Sequence, residues 1–237
     1  LAVDEKIARR AARLVKVEYE DISPVIVTIE DAIKHESFLP NAPRLRHDRG
    51  DPDAAYEKAE HKIESTVRVG GQEHFYFETN ASYCIPIDNS DEFHIHSSFQ
   101  NIAEGQHSAA HALGVQMNHV KFDVKRLGGG FGGKESRFHL LSSAVAVAAQ
   151  KFNRPVRVML DRDEDMMYSG GRHAFYSEYK VGFDSKGKIS SVAINGYQNA
   201  GYSTDLSVGV LSRYIDHSIN CYNFPNFRVV GHCMHTN

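Results

Sequence analysis

"KRLGGGFGGKESRF", residues 125–138, sets five glycines around one phenylalanine and follows them with Lys, Glu, Ser and Arg. Flexible linkers combine Gly with Ser, whereas this stretch combines Gly with an aromatic ring and a charged tail. Upstream, "HVKFDVKRL" alternates as a strand; downstream, "RFHLLSSAVAVAAQKF" reads as a long apolar helix. A strand, glycine loop and helix in that order expose main-chain N–H groups at a helix start, where anionic oxygens can be held. The P-loop pattern does not fit, because only three residues separate Gly129 from Gly133 and Phe131 stands between them. A GxGxxG can be drawn through Gly128, Gly130 and Gly133, but no acid follows at the distance a dinucleotide site needs. Spacing alone leaves a structural turn and an anion or cofactor cradle both open.

Working outward, the fold class is α+β. "HKIESTVRV", "SYCIPI", "EFHIHSSF", "RPVRVML", "FYSEYKVGF" and "KISSVAINGY" read as strands. "IAEGQHSAAHALG" reads as a helix that Gly114 terminates, "DAAYEKAEH" as a short helix and "VLSRYIDH" as a weak one. Toward the N-terminus, "EKIARRAARLV" has helical spacing, "VKVEYED" and "SPVIVTI" read as two short strands, and Thr28 opens a helix with acid in its first turn. Residues 37–54 combine Pro40, Pro43 and Pro52 with dense charge, which reads as a linker.

Composition excludes several classes. A formal net charge of −3, with Lys and Arg scattered rather than gathered, argues against a nucleic-acid partner. No apolar run is long enough to span a bilayer. The first residues lack a secretory signal, and Leu1 and Asn237 are read as the cut ends of an internal fragment. Cys84, Cys221 and Cys233 lie far apart and fit reduced thiols better than a disulfide framework or iron–sulfur ligation.

His94 and His96 share a strand face, and His107 and His111 share a helix face, but neither pair has a third ligand in sequence; surface or core histidines are the expectation. "DRDEDMMYSGGRH" (161–173) reads as a solvated, charged loop. Glu135 is expected in the first turn of the helix after the glycines, where a carboxylate complements the helix dipole.

Taken together, "GGQEHFYFET", "KRLGGGFGGKESR", "RPVRVMLDRDEDM", "GGRHAFYSEYKVGF" and "NCYNFPN" resemble, in the same order, the xanthine dehydrogenase/oxidase family of molybdenum hydroxylases. The resemblance implies a molybdenum–molybdopterin cofactor, with Phe131 and Gly132 contacting it and Gln100 donating its amide to an oxygen ligand of the metal. It implies that Glu135 hydrogen-bonds a purine and that Arg213 stabilises negative charge building on the ring, so that both serve binding and catalysis. The implied reaction is hydroxylation of hypoxanthine to xanthine and of xanthine to urate. Electrons then leave through two 2Fe-2S clusters and FAD to NAD, in a cytoplasmic or peroxisomal homodimer.

The same resemblance divides the chain. Residues 1–33 match the end of an α/β hammerhead domain, 34–54 a linker, and 55–237 the first part of the molybdenum-cofactor domain. The family's general-base glutamate has no counterpart here and is expected beyond Asn237; the iron–sulfur and flavin regions are expected before Leu1, so the chain alone should be inactive. Two alternatives remain: an aldehyde oxidase of the same family, and a non-catalytic module that binds anions at the glycine loop.

Overall fold

The computed structural model describes residues 1–87 and 91–237. Helices α1 (Glu5–Ala12) and α2 (Ile29–Lys34) come first, followed by strand β1 (Leu45–Arg49), α3 (Pro52–Glu57) and β2 (His61–Val69). Next come β3 (Ala81–Ile87), β4 (Glu92–Ser97), α4 (Ile102–Leu113), β5 (Val120–Asp123), α5 (Phe138–Phe152) and β6 (Val156–Met159). Helix α6 (Arg162–Ser169), β7 (Phe175–Phe183), β8 (Ile189–Asn199), α7 (Ser207–His217) and β9 (Asn226–Met234) complete the order.

The strands form two mixed sheets, ordered β1-β9-β8-β7-β2 and β5-β4-β3-β6. In the smaller sheet Phe93 and Ile95 of β4 and Val120 and Phe122 of β5 turn one face inward, as period-two alternation requires. Helices α4 and α5 cover that face with Ala109, Ala110, Leu113, Val145, Ala146 and Ala149. Small side chains let both helices lie close to the sheet. Gly114 ends α4 in the left-handed conformation, with φ of 71°, where the sequence placed its stop.

Phe99 and Phe138 matter most for the site. They stack at a centroid separation of 4.4 Å, and Phe122 meets Phe99 edge-on at 4.7 Å. Both are almost fully buried, which stabilises each by roughly 1.5–3 kcal/mol over exposure. One immediately precedes Gln100; the other opens α5 just after the glycine loop.

In the larger sheet α7 is the crossover between β8 and β9, which pair in parallel. Leu211 and Ile215 turn inward over Gly231, where an added Cβ would lie 2.7 Å from Leu211 Cδ1.

The expected elements need three corrections. "VKVEYED" and "SPVIVTI" form no strand: Val15, Val17, Tyr19 and Ile22 are exposed, and no neighbouring strand offers the ladder partners an alternating segment needs. The stretch read as a linker supplies β1, which pairs antiparallel with β9, and the start of α3, capped by Asp51 with Pro52 in its first turn. The charged run 161–173 is helical at α6, where Asp161 and Glu164 form a capping box. Thr28 does cap α2, accepting the Asp31 N–H at 3.0 Å.

Candidate functional site

The glycine loop runs from β5 to α5 and rests on three segments distant in sequence. Gln100 supports it from below. Its side-chain oxygen accepts the N–H groups of Gly132 at 3.0 Å and Lys134 at 3.3 Å. Two main-chain donors fix which end of the amide faces the loop, and the amide nitrogen keeps no hydrogen-bond partner among the described residues. A Cβ on residue 130 would fall 2.3 Å from that same oxygen, so Gly130 lets the main chain come down onto Gln100.

The upper side of the loop is open. Gly132 has a φ of +91°, and nothing lies within 4 Å of where its Cβ would be. Beside it Phe131 adopts a φ of +54° and is 70% exposed. A left-handed aromatic costs on the order of 1–3 kcal/mol and persists only where the surroundings impose it. The structure turns this ring to solvent.

Beneath the loop Lys134 is fully buried. Its ammonium sits 4.5 Å over the Tyr76 ring and has no hydrogen-bond acceptor among the described residues. Burial pushes its pKa below the usual lysine value, with Glu78 and Asp165 opposing that shift. The Tyr76 hydroxyl donates to Asp165, and Asn80 donates both its backbone N–H and its side-chain amide to the same carboxylate. Burial first, and the Asp165 contact second, raise the Tyr76 hydroxyl to about 12. Arg162 donates to the Tyr76 and Phe77 carbonyls at 2.5 and 2.7 Å and lies 4.8 Å over the Phe75 ring. Residues 75–80 are thereby tied to α6 and to the loop.

The far end of the loop reaches α7. Arg137 donates to Asp205 at 3.1 Å, to the Tyr202 hydroxyl at 2.8 Å and to Ser203 at 2.8 Å, while its carbonyl accepts the Tyr168 hydroxyl at 3.0 Å. Residues 202–205 lead directly into α7, which carries Arg213 on the side away from the inward Leu211 and Ile215. His173 also reaches α7, facing Ser207 Oγ at 2.9 Å.

Of the residues singled out from sequence, Gln100, Phe131, Gly132 and Glu135 are gathered at this loop. Glu135 precedes α5 by three residues instead of sitting in its first turn. Arg213 is exposed on the helix that Arg137 braces, but no hydrogen bond or ion pair joins it to Glu135. Among the described residues neither has a side-chain hydrogen-bond partner. Two surface hollows, one along β7, β8 and β9 and one beside β3 and β4, are lined by none of these five residues. Sequence reasoning missed Lys134, Tyr76, Asp165 and Arg137; the charged tail after the glycines signalled only Lys134 and Arg137.

These contacts bring together the first four stretches that carried the resemblance. The sequence matches the model of the molybdopterin cofactor-binding domain over residues 34–237. The chain belongs to that family. Its likeness extends along its whole length to the xanthine dehydrogenase of Drosophila subobscura, 51% identical over 100% of this chain and 18% of the relative. The xanthine dehydrogenase/oxidase of Gallus gallus is 46% identical, again over 100% of this chain and 17% of its own. Among solved structures, the aldehyde oxidoreductase of Desulfovibrio gigas superposes with a TM-score of 0.87 at 23% identity, covering 99% of this chain and 26% of that one, a likeness of fold. This molybdopterin cofactor-binding chain thus spans less than a fifth of these curated relatives.

The loop's chemistry fits such a cofactor. Bare main chain at Gly132 and an exposed ring at Phe131 stand on its open side, and the amide nitrogen of the exposed Gln100 has no hydrogen-bond partner among the described residues. No helix among the described residues is long and apolar enough to cross a membrane.

Proposed function

We propose that this chain is part of a xanthine dehydrogenase and presents one wall of its molybdenum–molybdopterin site. The observation that carries the reading is the Phe131–Gly132 turn, held at positive φ over Gln100 with its outer side bare and Glu135 just beyond. When bound, the cofactor supplies the oxygen-transfer chemistry and takes up the electrons. The chain's residues bind and orient. Gln100 offers an amide donor to the metal's oxygen ligand, and Gly132 lets the group approach the main chain. Glu135 accepts a hydrogen bond from a ring N–H of the purine, and Arg213 steadies the negative charge that develops on the ring.

A flat ring rich in nitrogen needs both a carboxylate partner and a cation, whereas an aldehyde presents neither demand. The substrates are therefore hypoxanthine and xanthine. The 2Fe-2S clusters, FAD and NAD site belong to the remainder of the protein, which acts as a homodimer in the cytoplasm. In this reading residues 1–33 close a hammerhead domain and 34–237, the matched stretch, begin the cofactor domain. Turnover by the full-length protein tests it: hypoxanthine and xanthine should be oxidised readily. Good activity on benzaldehyde with none on either purine would overturn it in favour of an aldehyde oxidase, and absence of molybdenum would mark a non-catalytic homologue.

A further inference from the structure

His94 and His96 are two residues apart on β4 and so stand on one face of the smaller sheet, opposite the buried Phe93 and Ile95. The sequence shows no third ligand. The parallel pairing of β4 with β5 supplies one: Asp123 is the register partner of His96 and shares its face.

The three side chains meet. His94 Nε2 lies 2.5 Å from Asp123 Oδ2, and the two imidazole rings are 4.1 Å apart between centroids. One ligand atom from each of the three residues lies within 4.8 Å of the others, and all three are half-buried. Tyr83, across on β3, lies nearly parallel to His96, with ring planes 18° and centroids 6.3 Å apart.

We propose that His94, His96 and Asp123 form a binding site for a divalent transition-metal ion such as zinc, separate from the molybdenum site. Two imidazoles and one carboxylate suit such an ion, with bonds of about 2.0–2.2 Å, so small side-chain rotations close the triangle. Three protein ligands leave a fourth position for water, and His96 and Asp123 line a hollow of about 570 Å³ together with Tyr83, Ser98 and Arg157. The site is open and the ion exchangeable. Lys121 Nζ, 3.4 Å from Asp123 and largely exposed, takes part of the cation's place and swings away on binding.

The test is equilibrium dialysis of the full-length protein against Zn²⁺ alone, comparing the parent with His96→Gln, Asp123→Asn and the control His107→Ala. Circular dichroism confirms that each variant is folded. The expected result is one zinc fewer per chain in His96→Gln and in Asp123→Asn, with His107→Ala unchanged. Should Asp123→Asn alone fold, its loss of one zinc suffices. Stoichiometry equal to the parent in the folded variants, or an equal loss in the control, would overturn the site and leave His94 and Asp123 as a hydrogen-bonded pair. Neither outcome depends on the purine reading.

Discussion

Gln100 and Lys134 hold each other by two hydrogen bonds: the Gln100 N–H donates to the Lys134 carbonyl at 2.8 Å, and the Lys134 N–H returns to the Gln100 side-chain Oε1 at 3.3 Å. The first residue follows the buried Phe99 and the second precedes the buried Phe138 by four positions. A loop of glycines, free in isolation, is thereby tied at its C-terminal end to a stacked aromatic pair.

Gly130→Ala should dislodge Gln100, since the new methyl would lie 2.3 Å from Oε1. Loss of the two hydrogen bonds should cost about 1–3 kcal/mol in stability. The full-length variant should also contain markedly less molybdopterin, measured by fluorescence of the released pterin; parental content would show that the Gln100 clamp is dispensable.

Lys134 distinguishes volume from charge. Lys134→Met fills the same space and leaves Asp165 its tyrosine and asparagine donors, so stability should change by no more than about 1.5 kcal/mol. Lys134→Ala opens a cavity beneath the loop and should cost about 2–5 kcal/mol. Urea midpoints of the two variants should therefore separate widely.

Tyr76 predicts an alkaline limit. Folded, it keeps its proton to about 12 against an ordinary 10.0, so the unfolded chain releases the proton first. This contribution is complete below pH 10 and is lost between about pH 10 and 12, by up to about 2–3 kcal/mol. Tyr76→Phe should flatten that part of the stability profile, and an unchanged slope would refute the assignment.

Arg137→Ala should loosen the tie between the glycine loop and α7 without emptying the core. Arg137→Lys should restore it poorly, because three separate acceptors need the planar fork. Hydrogen exchange at residues 202–207 should speed up in both variants, more in the first.

Arg213→Gln tests the purine reading most directly. Xanthine turnover should fall by about 10²–10³, the scale of removing a preorganised charge stabiliser, with molybdenum content unchanged. Loss of the metal would make the residue structural.

Much of this was legible in sequence because the signals are local. The alternation of β2, the Gly114 stop and the apolar run of α5 each read correctly from a short window. The failures depend on partners. β1 is a strand because β9 lies beside it, and 15–27 is not one because no strand among the described residues pairs with it. At the site, Gln100, Phe131, Gly132 and Glu135 could be named from the resemblance. Lys134 could not, since its importance comes from burial under Tyr76 and beside Asp165, far away in the chain. Asp123 escaped notice for the same reason: only the parallel register sets it against His96.

The placement of β9 between β1 and β8 has a consequence for biosynthesis. On the ribosome, β1 emerges early and must wait, edge unsatisfied, until the residues around Gly231 follow. The β4–β5 half can assemble from neighbouring segments meanwhile. Nascent chains arrested before residue 226 should accordingly protect amides in α4 and α5 while leaving 45–49 open to protease, and should lean on holdase chaperones until the missing strand arrives.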